Sequence, residues 1–409
     1  MSEWLLLVAI LTIAAVLVLL TVLILVMKAI RQARLAHLAR KRREIEPGLL
    51  KYLAAREGVL EKFVSVPPRG DTRTAAIALL IEHADLLKGE ARERITTALE
   101  RIGMVGEEMA HLDSSSAWKR AMAAERLGLA RSVSAVDALA RRMEDSDPEV
   151  QLRAARALGQ IRGRLAVRPL IEALANPSRW STLRVADILS TMGGEAAEEL
   201  IRSFPQLTPQ GKVACLDILG RLRRPDTAAF IQQRLKDENP DVRARAAHAL
   251  GQIGDPTTWQ ALSEALKDPE WPVRAMAAKA LGRLHAPQSV GSLAEGLRDR
   301  QWWVRSNAAE ALSGMGEGGT QALIDLLDSP DDYARHQAVL MLQQSGIVDQ
   351  YADRLDGLDL EAARARRVVG KIVEVGQVQR LDDLARNHTS PSVRAALADL
   401  LGKAAAGRA

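Results

Sequence analysis

Asn239-Pro240-Asp241-Val242-Arg243-Ala244-Arg245-Ala246-Ala247-His248-Ala249-Leu250-Gly251-Gln252-Ile253-Gly254-Asp255-Pro256 decides the fold, because the rest of the chain repeats it. Aligned on Leu250, other windows give a column of Leu99, Leu127, Leu158, Leu189, Leu219, Leu281, Leu312, Leu342, Ile372 and Leu401. Ten steps of 28 to 31 residues are self-similarity of the kind that marks a repeat array.

The chemistry inside each unit predicts a pair of helices. A cap-like residue followed by proline recurs ahead of the first helix: Asp147-Pro148, Asn176-Pro177, Thr208-Pro209, Asn239-Pro240, Asp268-Pro269, Ser329-Pro330 and Ser390-Pro391. Such side chains accept from the unpaired N–H groups of a helix start, where proline is also tolerated. Small pairs such as Ala154-Ala155, Ala246-Ala247, Ala277-Ala278 and Ala308-Ala309 follow on one face and permit close helix approach. Gly159, Gly254, Gly282 and Gly316 are expected to end helices in the left-handed conformation. A second amphipathic helix is expected over Thr257–Lys267 and Pro287–Arg298.

This pattern resembles the short HEAT-like repeat of about 30 residues, first associated with phycobilin lyases and common in bacterial proteins. The resemblance runs from Asp113 to Gly402 and less cleanly back to Ala91. The repeats at Ser181 and Gly211 lack the valine, and the one near Glu361 lacks the proline. It implies an all-α fold: an α-solenoid of HEAT-like helix pairs, which presents extended surfaces to partners. A lyase-like enzyme is the alternative function that the same resemblance implies. Only 3% of residues are aromatic, which fits small-residue helix packing and not a sheet core.

Ahead of the repeats, Trp4 to Met27 is an apolar run broken only by Thr12 and Thr21. As a helix it spans roughly 36 Å, enough to cross a bilayer with some tilt. No basic residue precedes it and no small-residue cleavage motif ends it, so it reads as one N-terminal transmembrane helix and not a removed signal. Lys28, Arg31, Arg34, Arg40, Lys41, Arg42 and Arg43 follow, with no acid among them. Without these seven the formal charge of +5 becomes slightly negative, so the folded bulk lacks the basic footprint of a nucleic-acid binder. A positive flank stays in the cytoplasm. The expected organisation is therefore a span over 4–27 with its N-terminus outside, a basic juxtamembrane helix over 28–46 ending before Pro47, a helical cap over 47–112, repeats over 113–402, and a frayed tail over 403–409. The cap is read as helices Pro47–Phe63 and Thr72–Leu87 around a break at Pro67-Pro68-Arg69-Gly70. The seven cations are expected to touch anionic phospholipid headgroups.

Signals of chemistry are sparse. The seven histidines form no metal-ligand pair, Cys215 falls in the small-residue core column, and no phosphate-binding or nucleophile motif occurs. No cofactor, metal or catalytic residue is expected. Arg120, Arg184, Lys212, Arg243, Arg274, Arg305, Arg335 and Arg394 form a basic column, read either as a ladder for acidic partners or as a structural ladder to neighbouring turns. Trp118, Trp180, Trp271, Trp302 and Trp303 lie just before the first-helix column, and Tyr333 continues the row. They either pack on neighbouring turns or form a binding strip, strongest at Trp271, Trp302, Trp303 and Tyr333. The expected function is a membrane-tethered cytoplasmic scaffold for protein partners, in an envelope, secretion or polysaccharide-export system.

Overall fold

The computed structural model describes the backbone of residues 2–54, 70–84, 86–174 and 182–408, and the side chains within 16–403 of that set apart from 182 and 183. Asn176-Pro177, Trp180, most of the predicted Pro47–Phe63 helix and the Pro67-Pro68-Arg69 break lie outside the described residues. The chain divides into two compact units, Met1–Pro169 and Leu170–Ala409.

Unit one begins with a single helix, Ser2–Ala54. It does not stop at Glu46 as expected: Pro47 lies inside it. Proline removes one backbone N–H from a helix, and here tertiary contacts hold the segment beyond it. Leu49, Tyr52 and Leu53 are buried, the Tyr52 hydroxyl donates to the Arg94 carbonyl at 3.1 Å, and Arg94 Nη1 donates to the Leu53 carbonyl at 3.0 Å. The helices Gly70–Ala84 and Glu90–Arg101 pack against this segment. From Val16 to Met27 the apolar side chains are exposed, on a helix long and apolar enough to cross a membrane.

The repeats follow as helix pairs. In unit two the first helices Pro209–Leu222, Pro240–Ile253, Trp271–Leu284, Trp302–Ser313 and Asp332–Gln344 each pack on the next. Their Val242, Ala246, Ala247 and Leu250 columns are fully buried. Close approach explains the glycines after Leu219, Leu250 and Leu281: a Cβ on Gly251 would sit 2.7 Å from the Ala280 Cα. The predicted second helices are shorter and begin with a 3-10 turn, Pro256–Thr258 before Trp259–Ala265 and Pro287–Ser289 before Val290–Gly296. In each turn a buried hydroxyl, Thr258 or Ser289, donates back to the carbonyl three residues earlier at 2.7 Å.

Several local expectations shift. Gly254 does close its helix in the left-handed region, at φ 79°, but Gly159 and Gly282 lie inside helices. Arg131, Arg162, Arg223 and His285 take left-handed positions. Asp147, Thr208 and Asn239 cap their helices. Asp268 and Ser329 lie farther out: the helices after them start at Trp271 and Asp332. The last helix, Pro391–Arg408, runs through most of the residues read as the tail.

Candidate functional site

The basic column turns inward, and it decides what the surface can do. Arg243 donates from Nε and Nη2 to both Asp268 carboxylate oxygens, at 2.7 and 3.0 Å, and from Nη1 to the carbonyls of Asp237 and Glu238. Arg274 repeats this with Asp299, at 2.6 and 2.9 Å, and with the carbonyls of Asp268 and Pro269. Arg120 does the same in unit one with Asp145, Ser114 and Ser115. Lys212 reaches Asp237 at 3.8 Å. Asp268 and Asp299 thus each receive one arginine on the carboxylate and the next on the carbonyl, while the carboxylate also accepts the N–H two residues on (Asp268 from Glu270, Asp299 from Gln301). Two-pronged, charge-assisted bonds of this kind fix geometry as well as charge.

Charge states follow. The Arg120 guanidinium, with the Asp147 N–H, holds the Asp145 carboxyl down at about 2 against the burial that opposes it. Burial alone would raise Asp299, but the bonds from Arg274 and Gln301 outweigh it and keep it below the usual carboxylate range. The ladder is structural, and Arg120, Arg243 and Arg274 are committed to it. The sequence reading missed the aspartate half. Asp237, Asp268 and Asp299 stand at equal steps of 31 residues, a signal that was available.

The aromatic row lies outside this framework. Trp271, Trp302, Trp303 and Tyr333 are 40%, 52%, 57% and 66% exposed, and Trp118 in unit one is 71% exposed. Trp302 and Trp303 meet edge to face with centroids 4.8 Å apart. Arg305 lies over the Tyr333 ring, 4.5 Å from its centroid. These rings stand at the starts of successive first helices, which the arginine ladder holds in register. Exposed indoles held on a rigid frame bury large apolar area at small entropic cost when a partner covers them.

Beside the row runs a groove of about 610 Å³ across three first helices, with Val213, Ala244, Pro272 and Met276 among its walls. Arg245 pairs with Asp217 there at 2.8 Å, and half-buried His248 and Lys279 also line the groove. Burial lowers the His248 pKa, Arg245, Arg283 and Lys279 lower it further, and Asp217 opposes them. Cys215 is buried, its thiol pushed up by desolvation and its Sγ 3.7 Å from the Leu200 carbonyl.

On the long N-terminal helix, the structure splits the seven cations. Arg42 pairs with Glu82 at 2.7 Å and Lys41 with Glu44 at 2.9 Å. Lys28, Arg31, Arg34, Arg40 and Arg43 are exposed.

A family model described as HEAT repeats matches residues 109–190, 198–273 and 260–343, together more than half of the chain. No curated protein matches. Among solved structures, the complex of CpcE and CpcF of phycocyanin lyase from Nostoc is 25% identical, with 59% of this chain and 94% of that one covered and a TM-score of 0.27. An engineered protein is 19% identical, with 85% and 99% covered and a TM-score of 0.31. A karyopherin bound to the extreme C-terminus of a protein phosphatase is 12% identical, with 87% and 49% covered and a TM-score of 0.41. The matched repeats, the helix pairs and the ladder between their turns agree: this chain belongs to the HEAT-repeat family.

Proposed function

We propose that the chain is a membrane-anchored adaptor whose second unit docks a protein partner on the row Trp271, Trp302, Trp303 and Tyr333. The observation that carries this is the exposure of four neighbouring rings on helices whose arginines are already committed to internal bonds. Aromatic anchors of this kind dominate interface energetics. The exposed apolar helix with its basic flank supports a bilayer span with the repeats in the cytoplasm. Lys28, Arg31, Arg34, Arg40 and Arg43 are then the headgroup contacts, whereas Arg42 and Lys41 brace the helix. An envelope, secretion or polysaccharide-export assembly is the setting this reading suggests.

The test is crosslinking in intact cells with the full chain and its Trp302→Ala/Trp303→Ala variant. The expected result is a partner captured by the parent chain and lost from the variant, with the thermal midpoint within about 2 °C, as surface changes of ~0.5 kcal/mol produce. A variant that loses stability while keeping its partner would show that the rings serve packing instead.

A further inference from the structure

The groove beside the aromatic row lies where a pairing between first helices stops. At two places in the molecule an arginine reaches back to an acid on the preceding first helix: Arg153 to Glu125 in unit one and Arg245 to Asp217 in unit two, each across 28 residues. The same step from His248 reaches Met276. From Lys279 it reaches Asn307, whose side-chain amide donates to the Ala275 carbonyl at 2.8 Å instead. Neither place holds a charge pair.

The consequence is a group of cations without acids. Among the described residues the side chains of Lys279 and Arg283 make no hydrogen bond or ion pair, and neither does the His248 ring. Lys279, Arg283 and Arg245 all act on His248, and Asp217 opposes them. The acids of the groove are held elsewhere. Asp217 is bonded to Arg245. Asp241 lies in the first turn of Pro240–Ile253, whose positive end offsets its charge, and roughly 10 Å from His248 along the helix axis. One end of the groove is therefore basic, beside a wall of half-buried Val213, Ala244, Pro272 and Met276.

We propose that this groove seats an acidic segment of the partner that docks on the aromatic row, with an apolar side chain against Ala244 and Met276 and a carboxylate beyond it on Lys279 and Arg283. The inference rests on the docking reading of the row, which meets the groove where Trp271 precedes Pro272. Three first helices spaced about 9 Å apart give the groove a length of roughly 18 Å, the span of about six extended residues. A small anion alone leaves the apolar wall in water, and a basic segment meets Lys279 and Arg283 with like charge. Met276 suits a peptide side chain, since its unbranched thioether adapts to the shape it meets. A seated carboxylate also offsets the cations around His248, so the ring takes up a proton more readily in the complex than alone. Binding then tightens as pH falls through the ordinary histidine range.

The experiment pans a random peptide library against the full chain in phosphatidylcholine nanodiscs, with empty nanodiscs subtracted, and measures the enriched peptides by fluorescence anisotropy. Expected are sequences in which a large apolar residue is followed by glutamate or aspartate. Lys279→Glu, at an exposed position, is expected to bind them at least tenfold more weakly with a melting temperature within about 2 °C of the parent's. Affinity should rise as pH is lowered from about 7.5 to about 5.5, and His248→Gln should flatten that rise. Enrichment of basic or uncharged peptides, no enrichment, or acidic peptides bound equally by the parent and Lys279→Glu overturns the proposal. The crosslinking in intact cells separates it from the docking reading, because Lys279→Glu is expected to lose the same partner as Trp302→Ala/Trp303→Ala. A partner lost from the tryptophan variant alone overturns the groove and keeps the row. A partner lost from Lys279→Glu alone supports the groove and overturns the row.

Discussion

Two consecutive repeats use the same arginine differently. Arg274 is clamped by Asp299 in the next turn. Arg305, one repeat later, makes the two carbonyl bonds, to Asp299 and Arg300, but meets Ser329 where its predecessors meet an aspartate. Ser329 performs the other two tasks of that position: its hydroxyl accepts from the Asp331 N–H at 3.2 Å and its carbonyl from Arg335 at 2.6 Å. It lacks only the reach and charge to hold Arg305. Arg305 is 7% exposed, and its guanidinium lies over Tyr333 instead. Where the ladder loses a carboxylate, the surface row gains an aromatic ring fixed by a cation. Framework and candidate docking face meet at this one residue.

The largest effect is expected from Asp299→Ala. It strips Arg274 of its carboxylate and the Gln301 N–H of its acceptor, and broken ion pairs of this burial cost about 3 kcal/mol. Chemical denaturation checks this; a loss below about 1 kcal/mol would mean that the carbonyl bonds alone hold the turn. Ser329→Asp should sharpen the contrast from the other side. Arg305 is expected to leave Tyr333 for the new carboxylate, raising stability by roughly 1–2 kcal/mol and weakening partner capture because the ring is released. An unchanged midpoint would show that the one-residue shorter spacing of this repeat places the carboxylate out of reach. Tyr333→Leu keeps an apolar side chain but removes the ring, and should cost about 1 kcal/mol as a cation–π contact is lost. The same change in Ser329→Asp should cost less, which a double-mutant cycle measures.

His248 offers the smallest effect and a contrast with the ladder, because its neighbours repel its charge. Its folded pKa lies below the ordinary value of 6.5, chiefly through burial. The folded protein therefore binds this proton less readily than the unfolded chain. Stability from the neutral ring is complete above pH 6.5 and declines as pH falls through that value toward the lowered one. His248→Gln should flatten this part of a pH–stability profile, and a profile identical to the parent's would place the ring in solvent.

The repeat was legible because its signal is redundant. Leu250 and its equivalents from Leu99 to Ile372 recur at steps of 28 to 31 residues, and each is buried between helices. The basic column was legible too, but its partners were not. Arg243 and Asp268 lie 25 residues apart while the repeat steps by 31, so the pair falls in no single repeat and in no local motif. The left-handed residues Arg131, Arg162, Arg223 and His285 were hidden because local preference argues against them: each stands where glycine is favoured. Pro47 misled for a related reason. A proline signals a helix end only where nothing else holds the following turn, and Tyr52 with Arg94 holds it here. For the aromatic row, sequence gave positions without exposure, which depends on how far each ring projects beyond the neighbouring repeat's turn.

The unbroken helix has a mechanical consequence. A flexible linker would let the repeats sweep a hemisphere under the bilayer, with reach growing as the square root of linker length. Ser2–Ala54 permits no such sweep. Its far end is braced by Tyr52 and Arg42, and its first brace, His37 to Asp71, comes only nine residues after Lys28, roughly 14 Å along the helix axis. With its apolar end in a membrane, unit one would stand as a post at fixed height and tilt, and turning the post within the bilayer would turn the unit with it.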